Sequence, residues 1–133
     1  MRDADSARAY FKDDNFAVEA AGIEITEARD GYAKCVMRPE RRHFNAAGFV
    51  MGGAIFTLAD FTLAVAANTE EVNAVSLTAS INFLAPAKGD MLTAETVELK
   101  TGRSICAYTV NVTDTEGRLV AVMSGTSFRS PRK

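Results

Sequence analysis

Histidine is almost missing from this chain. His43 is the only one in 133 residues, and cysteine occurs twice, as Cys35 and Cys106. A metal centre draws on several His, Cys or clustered acidic ligands; none cluster here, so no metal is expected. With one histidine, a Ser-His-Asp triad has to use His43, and no nucleophile-elbow motif accompanies it. His43 therefore reads as a loop or packing residue. The two cysteines lack the spacing of a metal or redox motif and fall in alternating segments, where they read as buried structural thiols. Basic charge is not in excess either. The formal net charge is −2 and no stripe of Lys and Arg appears, which argues against a nucleic-acid partner. The opening residues, MRDADSARAYFKDD, have no basic-then-apolar signal pattern, so a cytoplasmic location is expected. Internal repeats, low-complexity tracts and linkers are absent.

What the chain has is apolar residues, 47% of the total, as a globular protein does. Its length suits one domain, residues 1–133, with a sizeable core. The stretch Asn45–Asn68 organises it. A glycine-rich entry leads into an apolar run in which, from Ala54 to Ala67, Asp60 is the one charge and Thr57 and Thr62 the only other polar residues. No Pro interrupts it, and Ala and Leu favour helix. A helix apolar on all sides is a buried one, and this one is too short and interrupted to span a membrane. The expected central helix runs from about Gly52 to Asn68. Asp60 stands out within it, because ionised carboxylates are rarely buried without a partner. Either it reaches a cleft or interface, or hydrogen bonds hold it as a structural acid.

Around this helix the pattern is strand. A short helix over Asp5–Lys12, capped by Asp3 or Asp5, comes first, with Tyr10, Phe11 and Phe16 as its apolar anchor. Ala21–Ala28 and Tyr32–Arg38 read as strands joined by a hairpin at Asp30-Gly31. Ser76–Phe83 alternates, with Leu77, Ala79, Ile81 and Phe83 against Ser76, Thr78, Ser80 and Asn82. Asp90–Lys100 follows with a bulge near Val97, then Ser104–Thr113 and Leu119–Phe128. Four sequential strands with short turns predict an antiparallel meander. The economical architecture is α+β, one antiparallel sheet curled round the central helix.

The pattern Asn45-x-x-Gly48-x-x-Met51-Gly52-Gly53, then Leu58-Ala59-Asp60, resembles the signature of the hotdog-fold acyl-CoA thioesterases of the phenylacetate-degradation (PaaI-like) group. Val75-Ser76 to Phe83, followed by Pro86-Ala87-Lys88, also resembles that group, and the likeness runs over roughly residues 10–129. It departs at Met51, where the family usually has His before the two glycines. The resemblance implies a curved sheet wrapped round one long helix, and hydrolysis of an acyl-CoA thioester without metal or cofactor. It also implies homodimers, often paired into homotetramers, with sites at the dimer interface.

The chemistry fits these residue types. Free N–H groups at a helix start are oxyanion donors, and Gly52 and Gly53 let a carbonyl come close to the backbone. Asp60 can serve as general base on water or as nucleophile. Asn45 can hold the water or the thioester oxygen, and Ser76 can orient the water or the carboxylate. The competing structural roles are a packing contact for Gly52-Gly53, a loop or capping role for Asn45 and a plain strand hydroxyl for Ser76. Phe49, Phe61 and Met51 are candidates for the acyl pocket, or for core. Lys88 and Arg103, with Lys100 and Arg129, are candidates for coenzyme A phosphate contacts, or solvated surface charges. Gly52 and Asp60 lie eight residues apart, ~12 Å along a helix, whereas reacting atoms must approach to ~3 Å. A two-fold dimer solves this by setting Asn45 and Gly52 of one subunit against Asp60 and Ser76 of the other. Two rival readings are a non-catalytic acyl-CoA-binding or regulatory hotdog protein, for which Met51 is the argument, and a purely structural oligomer. A hotdog dehydratase is disfavoured, since that class uses a catalytic His within its helix region and Met51 sits where such a His could be.

Overall fold

A computed structural model describes residues 1–133. The chain runs α1 (Ala4–Phe11), β1 (Glu24–Arg29), β2 (Tyr32–Met37), α2 (Gly52–Ala67), β3 (Val72–Phe83), β4 (Leu92–Thr101), β5 (Ile105–Thr113) and β6 (Leu119–Pro131). All strands pair antiparallel in one sheet of order β1-β2-β4-β5-β6-β3. The sheet wraps α2, which touches all six strands. This is the α+β hotdog architecture expected from the sequence. No helix is long and apolar enough to cross a membrane.

Each local element has a local cause. Asp3 caps α1 by accepting the Ser6 N–H at 2.8 Å, satisfying a donor that the helix start leaves free. The β1–β2 hairpin turns at Asp30-Gly31, where Gly31 takes φ 82°, a conformation that costs a side-chain-bearing residue. The bulge in β4 lies between Glu98 and Lys100, two residues from the expected position. Of Tyr10, Phe11 and Phe16, only Phe11 enters the core, meeting Phe61 edge-on at 5.5 Å. Tyr10 instead lies under the Arg132 guanidinium, 4.5 Å from its ring centre.

The four-strand meander is not what forms. β4, β5 and β6 follow one another, but β3 pairs with β6 at the far end of the sheet, and β2 takes the place beside β4. The reason is the link between β3 and β4, residues 84–91, which carries Pro86 and is far longer than a hairpin turn. It crosses the open end of the sheet and leaves β3 as an edge strand. A second departure lies within β3. A register shift between Ser76 and Thr78 leaves Leu77 unpaired, so Ser76 opposes Ser127 and Ala79 opposes Gly125. Residues 125 and 127 share one face of β6, hence Ser76 joins the face of Ala79 instead of alternating with it.

The core is made where α2 meets the sheet. Leu58, Ala59, Leu63, Val65 and Ala66 are buried against Cys35, Ala94, Val110, Val112, Ala121 and Met123. The two cysteines are free and buried, and burial pushes the Cys35 thiol up to about 12. Thr62 is fully buried, but its hydroxyl donates to the Leu58 carbonyl at 2.6 Å. The helix comes close to β6 at Gly125, where an added Cβ would lie 2.6 Å from Cδ1 of Leu63. Gly125→Val should overpack this contact and cost about 1–3 kcal/mol, read as a fall in the denaturant midpoint. An unchanged midpoint would show that α2 does not rest on β6 there.

Candidate active site

The start of α2 is open. Met51, its N-cap residue, offers no capping side chain. The N–H groups of Ala54 and Ile55 return to the Met51 carbonyl at 3.0 and 3.2 Å, whereas those of Gly52 and Gly53 find no acceptor in the chain. Unpaired helix-start N–H groups carry partial positive charge and suit an oxygen on which negative charge develops. Gly52 lines an apolar cleft of about 430 Å³ together with Phe49, Val50, Ile55, Phe83, Leu84 and Pro86, among others. A Cβ on Gly52 would sit 3.0 Å from the Phe83 ring, and one on Gly53 would sit 3.2 Å from the Met51 methyl. Glycine here keeps the helix start within reach of a ligand, and Met51 reaches back over it.

The loop before the helix is built on Asn45. Its Oδ1 accepts the N–H groups of Ala47 and Phe49, both at 3.0 Å. Its backbone N–H donates to the Phe49 carbonyl at 2.8 Å, and its carbonyl accepts from Gly48 at 3.0 Å. The side-chain oxygen is thus used within the loop, and only the amide Nδ2 is left. Asn45 can donate to a ligand oxygen but cannot accept from one. Gly48, at φ 86°, makes the turn that closes this loop. His43 anchors the loop to the body. It is buried, with Nδ1 accepting from the Glu40 N–H at 2.9 Å and Nε2 at 2.7 Å from the Ala21 carbonyl. These partners fix the neutral Nε2–H tautomer and leave neither nitrogen for chemistry.

Asp60 lies two turns along α2, half-buried. Burial, and second the Asp14 carboxylate, raise it above the ordinary aspartate range. Asp14 is carried there by the turn after α1: its N–H donates to the Phe11 carbonyl at 3.0 Å, and Phe11 packs on Phe61, the neighbour of Asp60. No positive charge and no hydrogen bond from the same protomer compensates Asp60. A half-buried acid whose only close charge is another carboxylate is poorly compensated within its own protomer, and acids perturbed in this way cluster at functional sites.

Within one protomer the expected residues do not all converge. Asn45, Phe49, Met51, Gly52 and Gly53 gather at the helix start. Lys88 follows Ala87 of the cleft wall, with its N–H on Asp114 at 3.2 Å. Asp60 belongs to the same helix but lies ~12 Å along it. Ser76 is on the edge strand β3. Arg103 sits in the β4–β5 turn beside a separate depression with Lys100 and Ser104, so the protomer does not bring it to the cleft. Phe61 is buried, only 3% exposed, and packs edge-on against Phe11. The sequence reading missed Phe83, Leu84 and Pro86 as cleft walls. Phe83 reads as a core residue by strict alternation, and only its place at the end of an edge strand turns it toward Gly52.

Three comparisons bear on this arrangement. Residues 47–121, the stretch from the Asn45 loop through the start of β6, match the family model described as the thioesterase superfamily. The acyl-coenzyme A thioesterase PaaI of Escherichia coli is 31% identical over 125 residues, covering 93% of this chain and 89% of the relative. The human acyl-coenzyme A thioesterase 13 is 30% identical, covering 86% and 84%. Among solved structures, the E. coli PaaI protein of the phenylacetic acid degradation operon superposes with a TM-score of 0.88 at 30% identity, over 95% of this chain and 91% of that one. A hypothetical thioesterase of Streptococcus pneumoniae, solved with coenzyme A, gives 0.83 at 30% identity over 92% and 98%.

Proposed function

Since the chain belongs to the thioesterase superfamily, we propose that its cleft hydrolyses acyl-CoA thioesters. The chain is a thioester hydrolase. The observation that carries the mechanism is the pair of unpaired N–H groups at Gly52 and Gly53, at a helix start whose Gly52 lines an apolar cleft. The thioester oxygen accepts from this helix start and from Nδ2 of Asn45. Asp60 of the partner subunit takes a proton from water, whose oxygen forms the new bond to the acyl carbon. The carbon–sulfur bond then breaks, and the leaving thiolate of coenzyme A recovers the proton. Attack by the Asp60 carboxylate itself, with later hydrolysis of an anhydride, uses the same groups. Ser76 orients the water or the carboxylate. Phe49, Phe83 and Pro86 suit small aromatic or short- to medium-chain acyl groups; Lys88 is the cation of the same protomer assigned to the coenzyme A phosphates, and Arg103 joins it only from the partner subunit.

This reading requires a homodimer, and the edge strand supports one. β3 ends the sheet with its outer backbone unpaired, and Val75 and Leu77 on it are 60% and 55% exposed. A long, apolar, uncovered edge is a hazard that proteins cover or pair. Isologous β3–β3 pairing covers it, runs the two α2 helices antiparallel and brings each Asp60 toward the other Gly52. A homotetramer follows from pairing two such dimers. Release of free thiol from a panel of acyl-CoAs, absent in an Asp60→Ala variant that assembles normally, tests the proposal. Binding without release would establish the rival, an acyl-CoA-binding protein, which Met51 in the family's His position favours.

A pH profile gives a finer check. The base must be ionised, so activity falls as pH drops through the raised Asp60 pKa. Removing the second contributor by Asp14→Asn should move the acid limb of kcat/KM to lower pH. Burial, the larger contributor, remains, so the limb should stay above the ordinary aspartate range. An acid limb indifferent to Asp14 would remove Asp60 as the group being titrated.

A further inference from the structure

A second cavity, of about 380 Å³, lies between α1 and the first residues of β1, within the size range of small-molecule sites. Its floor is apolar, made by Phe11, Val18, Ile23 and Ile25, and its rim is Arg8, Lys12, Glu24 and Thr26. No residue of α2 lines it, so it is separate from the cleft at Gly52. The rim charges are not equivalent. Arg8 is committed, with Nε and Nη2 donating to the Ile25 carbonyl at 3.0 and 2.8 Å and Nη1 on Asp5 at 2.9 Å. Glu24 faces Arg38 at 3.4 Å. The Thr26 hydroxyl donates to the Lys34 carbonyl at 3.0 Å. Of the three charged side chains at the rim, Arg8, Lys12 and Glu24, only Lys12 enters no ion pair. One uncompensated positive charge therefore stands at the rim of an apolar hollow.

We propose that this cavity is a ligand site for an amphipathic monocarboxylate, its hydrocarbon on Phe11, Val18, Ile23 and Ile25 and its carboxylate at Lys12. A neutral hydrocarbon leaves Lys12 without a counter-ion, and a small inorganic anion leaves the floor wet. A peptide strand adding to the β1 edge is disfavoured, because Arg8 already occupies the Ile25 carbonyl that such a strand would need. The site owes nothing to the hydrolytic reading and stands or falls separately.

Octanoate is the probe, with octanol as its neutral counterpart, and methyl NMR of the assembled protein is the readout. Saturable shifts at the Val18, Ile23 and Ile25 methyls are expected, distinct from those at Ile55, which lines the Gly52 cleft. Lys12→Met, a change at an exposed residue, should weaken octanoate binding about three- to tenfold, the range for a partly exposed charged contact, and leave octanol unaffected. Shifts confined to Ile55, or none at millimolar octanoate, would overturn the site. Equal binding of octanoate and octanol, or of octanoate to the Lys12→Met protein, would overturn the assignment of an anionic ligand. A backbone strand peptide that shifts these methyls while octanoate does not would replace the small molecule with a protein partner.

Discussion

Asp60→Asn is expected to lower kcat by about 10²- to 10⁴-fold, the range for loss of a general base, with KM little changed. Asparagine keeps the shape and can hydrogen-bond, but it can neither accept the proton nor attack as an anion, so the loss falls on the transition state. The same substitution should stabilise the fold at neutral pH. Asp60 is raised in the folded state, so the folded protein holds its proton more tightly than the unfolded one. Stability from that proton is present at low pH and is lost as pH rises through the raised pKa. The variant escapes this loss. Its melting temperature should exceed that of the wild type at neutral pH, and the two should converge in acid. A drop in kcat accompanied by a lower melting temperature would point to misfolding instead, and full activity in the variant would end the assignment.

The second large effect is recovery by mixing. Gly52→Val should place a side chain against the Phe83 ring, 3.0 Å from where the Cβ begins, and block the helix start. The loss should approach the ~10²-fold or more seen when an oxyanion donor is removed. Mixed with Asp60→Asn protein and allowed to reassort, half the dimers are hybrids. Each hybrid holds one site with both defects and one with neither, so about a quarter of the wild-type activity should return. Two proteins almost inactive alone would become active together. If both groups of a site came from one protomer, no mixture would recover, and equal inactivity across all mixing ratios would refute the composite site.

How much of this was readable in the sequence depends on whether the information is local. The bounds of α2 were, because an apolar run without Pro between a Gly pair and Asn68 leaves few alternatives. The Asp30-Gly31 hairpin and the β4 bulge were legible for the same reason. The partner of β3 was not. Alternation reports that a strand has two faces and says nothing about which distant strand lies beside it, so β3 beside β6 had to come from three dimensions. The unpaired Leu77 has no sequence mark, and it turned Ser76 onto the other face. Asn45 is a candidate that the sequence names, yet which of its two polar atoms is free depends on the 45–49 loop geometry. Nor does the sequence show where the candidate Phe61 points: an aromatic next to an acid on a helix need not face the same way, and this one packs against Phe11.

The burial of Cys35 and Cys106 has a consequence for a protein that handles thiols. Each turnover of an acyl-CoA would liberate coenzyme A beside the enzyme, and under oxidising conditions that product seeks thiolates with which to form mixed disulfides. Both cysteines are nearly without exposed surface, and burial raises both, Cys35 to about 12. Neither presents a thiolate for such capture. The same seclusion makes the folded protein silent toward thiol-specific dyes, so colour developed during turnover counts released coenzyme A alone.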